Sequence, residues 1–196
     1  MKCLRQILLP GFPIRELPGM LLLMLIGAGV AGGYGVIHDQ ITYTLSPEYF
    51  TRLKFDQFAS AEPAGASPRV FAGVIGFLAT WWVGALVGWI LARVALFKEK
   101  QLPPFRELAV AIVLVFVVTL ATGCGGWLWG VWRKTTGYDA SWLSMMDSLG
   151  VESRHDFMTV CYIHNASYLG GMLGTLVAIV ALARARARRI GRMAPA

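Results

Sequence analysis

Leu17-Pro-Gly-Met-Leu-Leu-Leu-Met-Leu-Ile-Gly-Ala-Gly-Val-Ala-Gly-Gly-Tyr-Gly-Val-Ile37 contains no charged residue from end to end. A helix of roughly 20 such residues spans the hydrocarbon core of a bilayer. Working outward, Val70 to Ala92, Leu108 to Trp132 and Phe157 to Ala183 repeat the pattern. Over the whole chain 56% of residues are hydrophobic and 15% charged, against about a quarter charged in a soluble domain. Backbone groups in lipid must be hydrogen-bonded within their own segment, so the runs read as helices. The expected fold is all-α: a single transmembrane domain, residues 1–196, with spans near 17–37, 70–92, 108–132 and 157–183. The loops between them, 38–69 and 133–156, then share one side of the membrane.

Lysine and arginine placement orients the bundle. Lys2, Arg5, Arg15, Arg93, Lys98, Lys100, Arg106, Arg184, Arg186, Arg188, Arg189 and Arg192 fall on the side of the termini. Only Arg52, Lys54, Arg69, Arg133, Lys134 and Arg154 fall on the loop side. Both termini are therefore expected in the cytoplasm and the two longer loops outside. The net charge of +7 needs no nucleic acid, because the arginine run after the last span serves as a topogenic anchor for anionic lipid headgroups. Residues 1–16, basic and apolar with Pro10 and Pro13, read as an interfacial lead-in to a retained first span rather than a cleaved signal peptide.

Gly27-Ala-Gly29-Val-Ala-Gly32 matches the glycine pattern of dinucleotide-binding turns, but no strand precedes it and no βαβ unit follows. The small residues instead recur at helical spacing, as Gly29 and Gly33 or as Ala31 and Gly35. Gly76, Thr80, Gly84 and Gly88 repeat this in the second span. Thr122, Gly126 and Gly130 do so in the third, and Ala166, Gly170, Gly174 and Ala178 in the fourth. Such seams let helices pack closely in lipid.

After His38 and Asp39 the chain is expected to leave the membrane. Ser46-Pro47-Glu48 is a helix start: a capping hydroxyl, a proline suited to the first turn and an acid suited to the dipole. The short amphipathic helix that follows, with Tyr49, Phe50, Leu53 and Phe58, is expected on the outer membrane surface. Residues 59–69 read as a linker. The second loop should hold a helix near Ser141 to Leu149 ended by Gly150, and Trp127, Trp129 and Trp132 suit an interfacial aromatic belt.

All three histidines, His38, His155 and His164, fall at the outer end, near Asp39, Glu48, Glu152, Asp156, Asn165 and Tyr168. Ionisable groups at this level are functional candidates, with structural pairing as the bland alternative. Two sites are open. One is juxtamembrane and joins His38 and Asp39 to Glu152 and His155, which have the Glu-x-x-His spacing of di-metal carboxylate bundles. The other lies within the bundle, where Cys161, His164, Tyr168, Gly171 and Thr175 form a polar stripe facing Ala31, Tyr34 or Gly35, His38 and Thr42 of the first span. Imidazole with carboxylate suits zinc, iron or copper; imidazole alone could hold a haem. Cys124 and Cys161 lie at similar depth, and whether they are bridged is left open.

Tyr34-Gly-Val-Ile-His38-Asp39-Gln-Ile-Thr42, Ser46-Pro47-Glu48-Tyr49-Phe50 and His164-Asn165-Ala-Ser-Tyr168-Leu-Gly-Gly resemble uncharacterised bacterial four-span inner-membrane proteins. The resemblance implies an architecture and an inner-membrane origin and brings no activity with it. Three function classes follow: a metal site, with redox or ion-handling chemistry; a structural subunit docking a partner membrane protein or a second copy through Tyr49 and Phe50; and a small channel or carrier. No soluble nucleophile triad, phosphate loop or paired-cysteine zinc motif is present.

Overall fold

A computed structural model describes residues 14–96 and 105–193; most of the expected interfacial lead-in, with Cys3, and also Lys98 and Lys100, lie outside it. The described residues contain no strand, and four helices are long and apolar enough to cross a membrane. Helix α1 (Leu17–Leu45) is entered by a 3-10 turn, Ile14–Glu16. A cap segment follows: α2 (Pro47–Tyr49), a π-helical turn (Phe50–Lys54) and α3 (Phe55–Gln57). Beyond a 3-10 turn at Ala59–Ala61 come α4 (Pro68–Leu96), α5 (Phe105–Thr136), α6 (Ala140–Ser148) and α7 (Arg154–Met193). The membrane composition and the helical bundle are as the apolar runs imply.

The long helices pack two by two, α1 on α4 and α5 on α7. Glycines make the pairing close. A methyl group added to Gly35 would run into the Gly76 carbonyl, and one on Gly27 into that of Gly84. Across the same seam the Thr80 hydroxyl donates to the Ala31 carbonyl at 2.8 Å. In the second pair Gly126 faces the Tyr162 carbonyl, Gly130 faces Thr159 and Gly174 faces Val115. Lipid gives helices no hydrophobic reason to associate, so backbone approach and dispersion contacts must supply it. Of the two registers open for the first span, Ala31 and Gly35 form the seam, whereas a methyl group on Gly29 or Gly33 would meet nothing within 4 Å.

The pairs meet each other less closely, and a cavity of about 450 Å³ lies between them, bordered by all four long helices. At the end near the termini it is closed by two buried clusters. Leu91, Val94, Ala95, Ala111, Ala178 and Leu182 form one, and Met20, Leu23, Ala92 and Leu96 the other. A buried ion pair, Arg93 to Glu16 at 4.0 Å, and Arg189 to Glu107 at 3.3 Å tie the same end.

Two expectations about the loop end need correction. The chain does not leave its helix at His38: α1 continues to Leu45, so His38, Asp39 and Thr42 sit in its last turns, inside the bundle. Hydropathy marks where apolar residues stop, but a helix ends where the backbone is made to stop. Here Ser46 takes extended backbone (φ −146, ψ 94), as a residue before proline prefers, and its Oγ accepts from the Tyr49 amide. The cap segment also does not lie with its apolar face in lipid. Tyr49 and Phe50 are buried with Met146, Phe157, Met158 and Cys161, under α6 and the start of α7. An apolar face read from sequence does not say whether protein or lipid covers it. Helix α6 and its terminator Gly150 (φ +62) fall where the sequence places them.

Candidate metal centre at the loop end of the bundle

Helix periodicity loads the site from two sides. His38 and Thr42, one turn apart, share a face of α1, with Asp39 beside them. His164, Ser167 and Tyr168 do the same on α7. His38 Nδ1 lies 3.2 Å from Asp39 Oδ1, and His164 Nε2 lies 3.9 Å from the same oxygen. The imidazole rings stand edge to face with centroids 4.6 Å apart. One ligand atom from each of the three residues fits within 4.8 Å of the others. Asp39 and His164 are 5% and 4% exposed, so this is a buried cluster, and it forms the polar end of the cavity.

The surrounding hydroxyls orient the rings. Thr42 Oγ1 donates to the His38 carbonyl at 3.0 Å and sits 3.2 Å from His164 Nε2. Ser167 Oγ is 3.4 Å from His38 Nε2. Tyr34 packs against the His38 ring (5.5 Å) and against Phe116 of α5 (5.6 Å), so it spans the gap between the helix pairs.

Above the cluster the cap segment acts as a roof. The Tyr49 ring stacks on His164 at 4.8 Å, and Phe50 lies 6.2 Å from the same imidazole, with no exposed surface of its own. Burial raises the Tyr49 phenol far above its ordinary range, so it remains protonated. Lys54 reaches over the Tyr49 ring at 5.7 Å; burial lowers its ammonium while the Asp39 carboxylate pulls the other way.

The juxtamembrane pairing does not form. Glu152 precedes α7, which begins at Arg154, so the helical phase assumed for Glu152 and His155 does not apply. His155 Nδ1 instead pairs with the Tyr138 hydroxyl at 3.1 Å. Burial raises that phenol as well. Glu48 serves as a loop clip: its carboxylate accepts from the Glu152 and Ser153 amides at 3.1 and 2.7 Å, holding the first loop to the entry of α7. Cys161 is buried among the aromatics, Cys124 is exposed, and both are free thiols. Asn165 is exposed; the Tyr168 ring lies 6.3 Å from His164.

Ser167 and the roof residues Tyr49 and Phe50 are contributors to the cluster that residue types alone do not mark. The first was legible as the i+3 neighbour of His164. The other two were visible as an apolar face but not as its partner. Comparisons of the chain with family models, curated proteins and solved structures find no match.

Proposed function

We propose that the protein holds one divalent transition-metal ion on His38, Asp39 and His164. The observation that carries this reading is the convergence of three ligating side chains, from two helices far apart in sequence, within 4.8 Å in a buried place. Metal–ligand bonds of about 2.0–2.2 Å arranged tetrahedrally put neighbouring ligand atoms roughly 3.3–3.6 Å apart. The 3.2 and 3.9 Å separations about Asp39 bracket that spacing. Two imidazoles and one carboxylate are the donor set of open zinc sites and of non-haem iron. The two rings are too close together to lie on opposite faces of a haem iron, and Cys161 stands outside the donor set; a bare zinc or iron ion is favoured over haem or copper.

Without metal the same contacts are held by protons, from His38 to Asp39 and between His164 and Thr42. Metal binding displaces such protons and is therefore weakened by acid. The ion would keep free coordination positions on the cavity side, the condition for redox or Lewis-acid chemistry. A channel is disfavoured by the buried side chains packed at both ends, and docking through Tyr49 and Phe50 by their burial. The basic residues on the terminal side support a bacterial inner-membrane setting with both termini cytoplasmic.

Elemental analysis of gently purified protein, reloaded at neutral pH with zinc or ferrous iron, tests the reading. Near-stoichiometric metal in wild type and His155→Ala, lost in His38→Ala and His164→Ala, is expected. Wild type that retains none refutes it.

A further inference from the structure

The cavity beneath the cluster has polar groups at one end and apolar walls elsewhere. Its lining runs from His38 and His164 down to Leu23 and Leu91. From His38 to Leu23 is roughly 22 Å along α1 at 1.5 Å per residue, most of a hydrocarbon core about 30 Å thick. The wall hydroxyls are committed to main-chain carbonyls: Thr80 to Ala31, Thr119 to Val115 and Thr175 to Gly171. Among the described residues no lysine or arginine lines the cavity, and Asp39 is the only acid there. Among the described residues, the aromatic roof packs over one end and buried side chains, Met20, Ala92, Ala95 and Leu182 among them, pack at the other. Sideways the cavity meets lipid: Val30, Leu86, Met172 and Leu176 line it and are exposed on the bundle's flanks.

Charge then selects the head group. Resting on the metal reading, a divalent ion with two neutral imidazoles and one carboxylate leaves one net positive charge in a low-dielectric site, where an uncompensated charge is costly. A single anionic oxygen ligand cancels it. A chain attached to that ligand finds an apolar channel of about 450 Å³, within the roughly 300–1,000 Å³ of small-molecule pockets. We propose that the cavity receives a long-chain carboxylate from the membrane, its head completing the coordination of the ion on His38, Asp39 and His164 and its chain lying between the helix pairs.

Gly171 offers a block away from the ligands. It lines the cavity two turns below His164, and the nearest atom that a methyl group there would meet across the cavity is Thr119 Oγ1 at 3.9 Å, so Gly171→Leu enters space that the chain needs. Met172→Trp, at an exposed position of the lining, is a second block that leaves the packed seams untouched. The experiment uses full-length protein in nanodiscs, loaded with cobalt(II), whose visible bands report a change of ligand. Dodecanoate should shift the wild-type bands saturably, while acetate, dodecanol and dodecyltrimethylammonium leave them unmoved. Both block variants should show the same starting bands and bind dodecanoate about tenfold more weakly or worse. Normal cobalt bands that dodecanoate does not move overturn this inference alone. So does an equal response to acetate, or an undiminished dodecanoate response in both variants. No cobalt bands before dodecanoate is added overturn the metal reading, and the inference with it.

Discussion

Replacing Phe50 by alanine separates the roof from the cluster it covers. Phe50 has no exposed surface and packs against Tyr43 and Tyr49 at 5.4 Å each, Phe55 at 6.5 Å and His164 at 6.2 Å. Truncating a buried phenylalanine costs about 3–5 kcal/mol where the site cannot collapse. Collapse is hindered here because the neighbours are rings fixed by other contacts and Ser46 pins the segment's start. Taking about 3 kcal/mol as the loss, and about 1.4 kcal/mol per factor of ten, cap opening becomes roughly a hundredfold more populated. The global fold should survive, since the helix seams do not involve Phe50. Hydrogen exchange resolved by peptide reads this directly: amides in 50–58 should exchange about a hundredfold faster, while those in 76–88 and 160–175 stay protected. Trp82→Ala, on an exposed position of α4, is the control and should leave the cap unchanged. If cap exchange in Phe50→Ala rises by less than about threefold, the segment is not held by this contact and the roof assignment fails.

Two other outcomes follow from the same geometry. Gly35→Ala forces a methyl group into the Gly76 carbonyl and should cost about 1–3 kcal/mol as overpacking, whereas Gly29→Ala meets open space and should be neutral or gain up to about 1 kcal/mol; equal thermal midpoints in nanodiscs would contradict the seam register. An ion held on His38, Asp39 and His164 as proposed, beneath the roof and beside the lipid-facing flank, should be removed much faster by membrane-permeant phenanthroline than by EDTA, with the difference narrowed in Phe50→Ala and metal released as pH falls, because protons compete for its ligands; equal rates for both chelators in wild type would place the ion in contact with bulk water.

Much of the architecture was legible because lipid imposes a simple rule. Uncharged runs long enough to cross must be helical, and Gly76, Thr80, Gly84, Gly88, Gly126, Gly130, Gly170 and Gly174 marked the faces where backbones meet. Of the stripe Cys161, His164, Tyr168, Gly171 and Thr175 read from spacing, the last four line the cavity, whereas Cys161 is buried among the roof aromatics. Where helices end and which faces meet were less legible. His38 and Asp39 look like the polar edge of a loop until Ser46 and Pro47 are seen to carry the stop.

The sequence by itself determined four apolar helices, a polar end carrying His38, Asp39 and His164, and seams of small residues, since each follows from local composition and helical period. Only the tertiary structure decided that α1 pairs with α4 and α5 with α7, leaving a cavity between them. It alone chose His164 over His155 as the partner of His38 and turned Tyr49 and Phe50 onto the cluster. The physical reason is that pairing depends on the complementarity of surfaces distant in the chain. Periodicity shows each helix its own face, but not the face it meets.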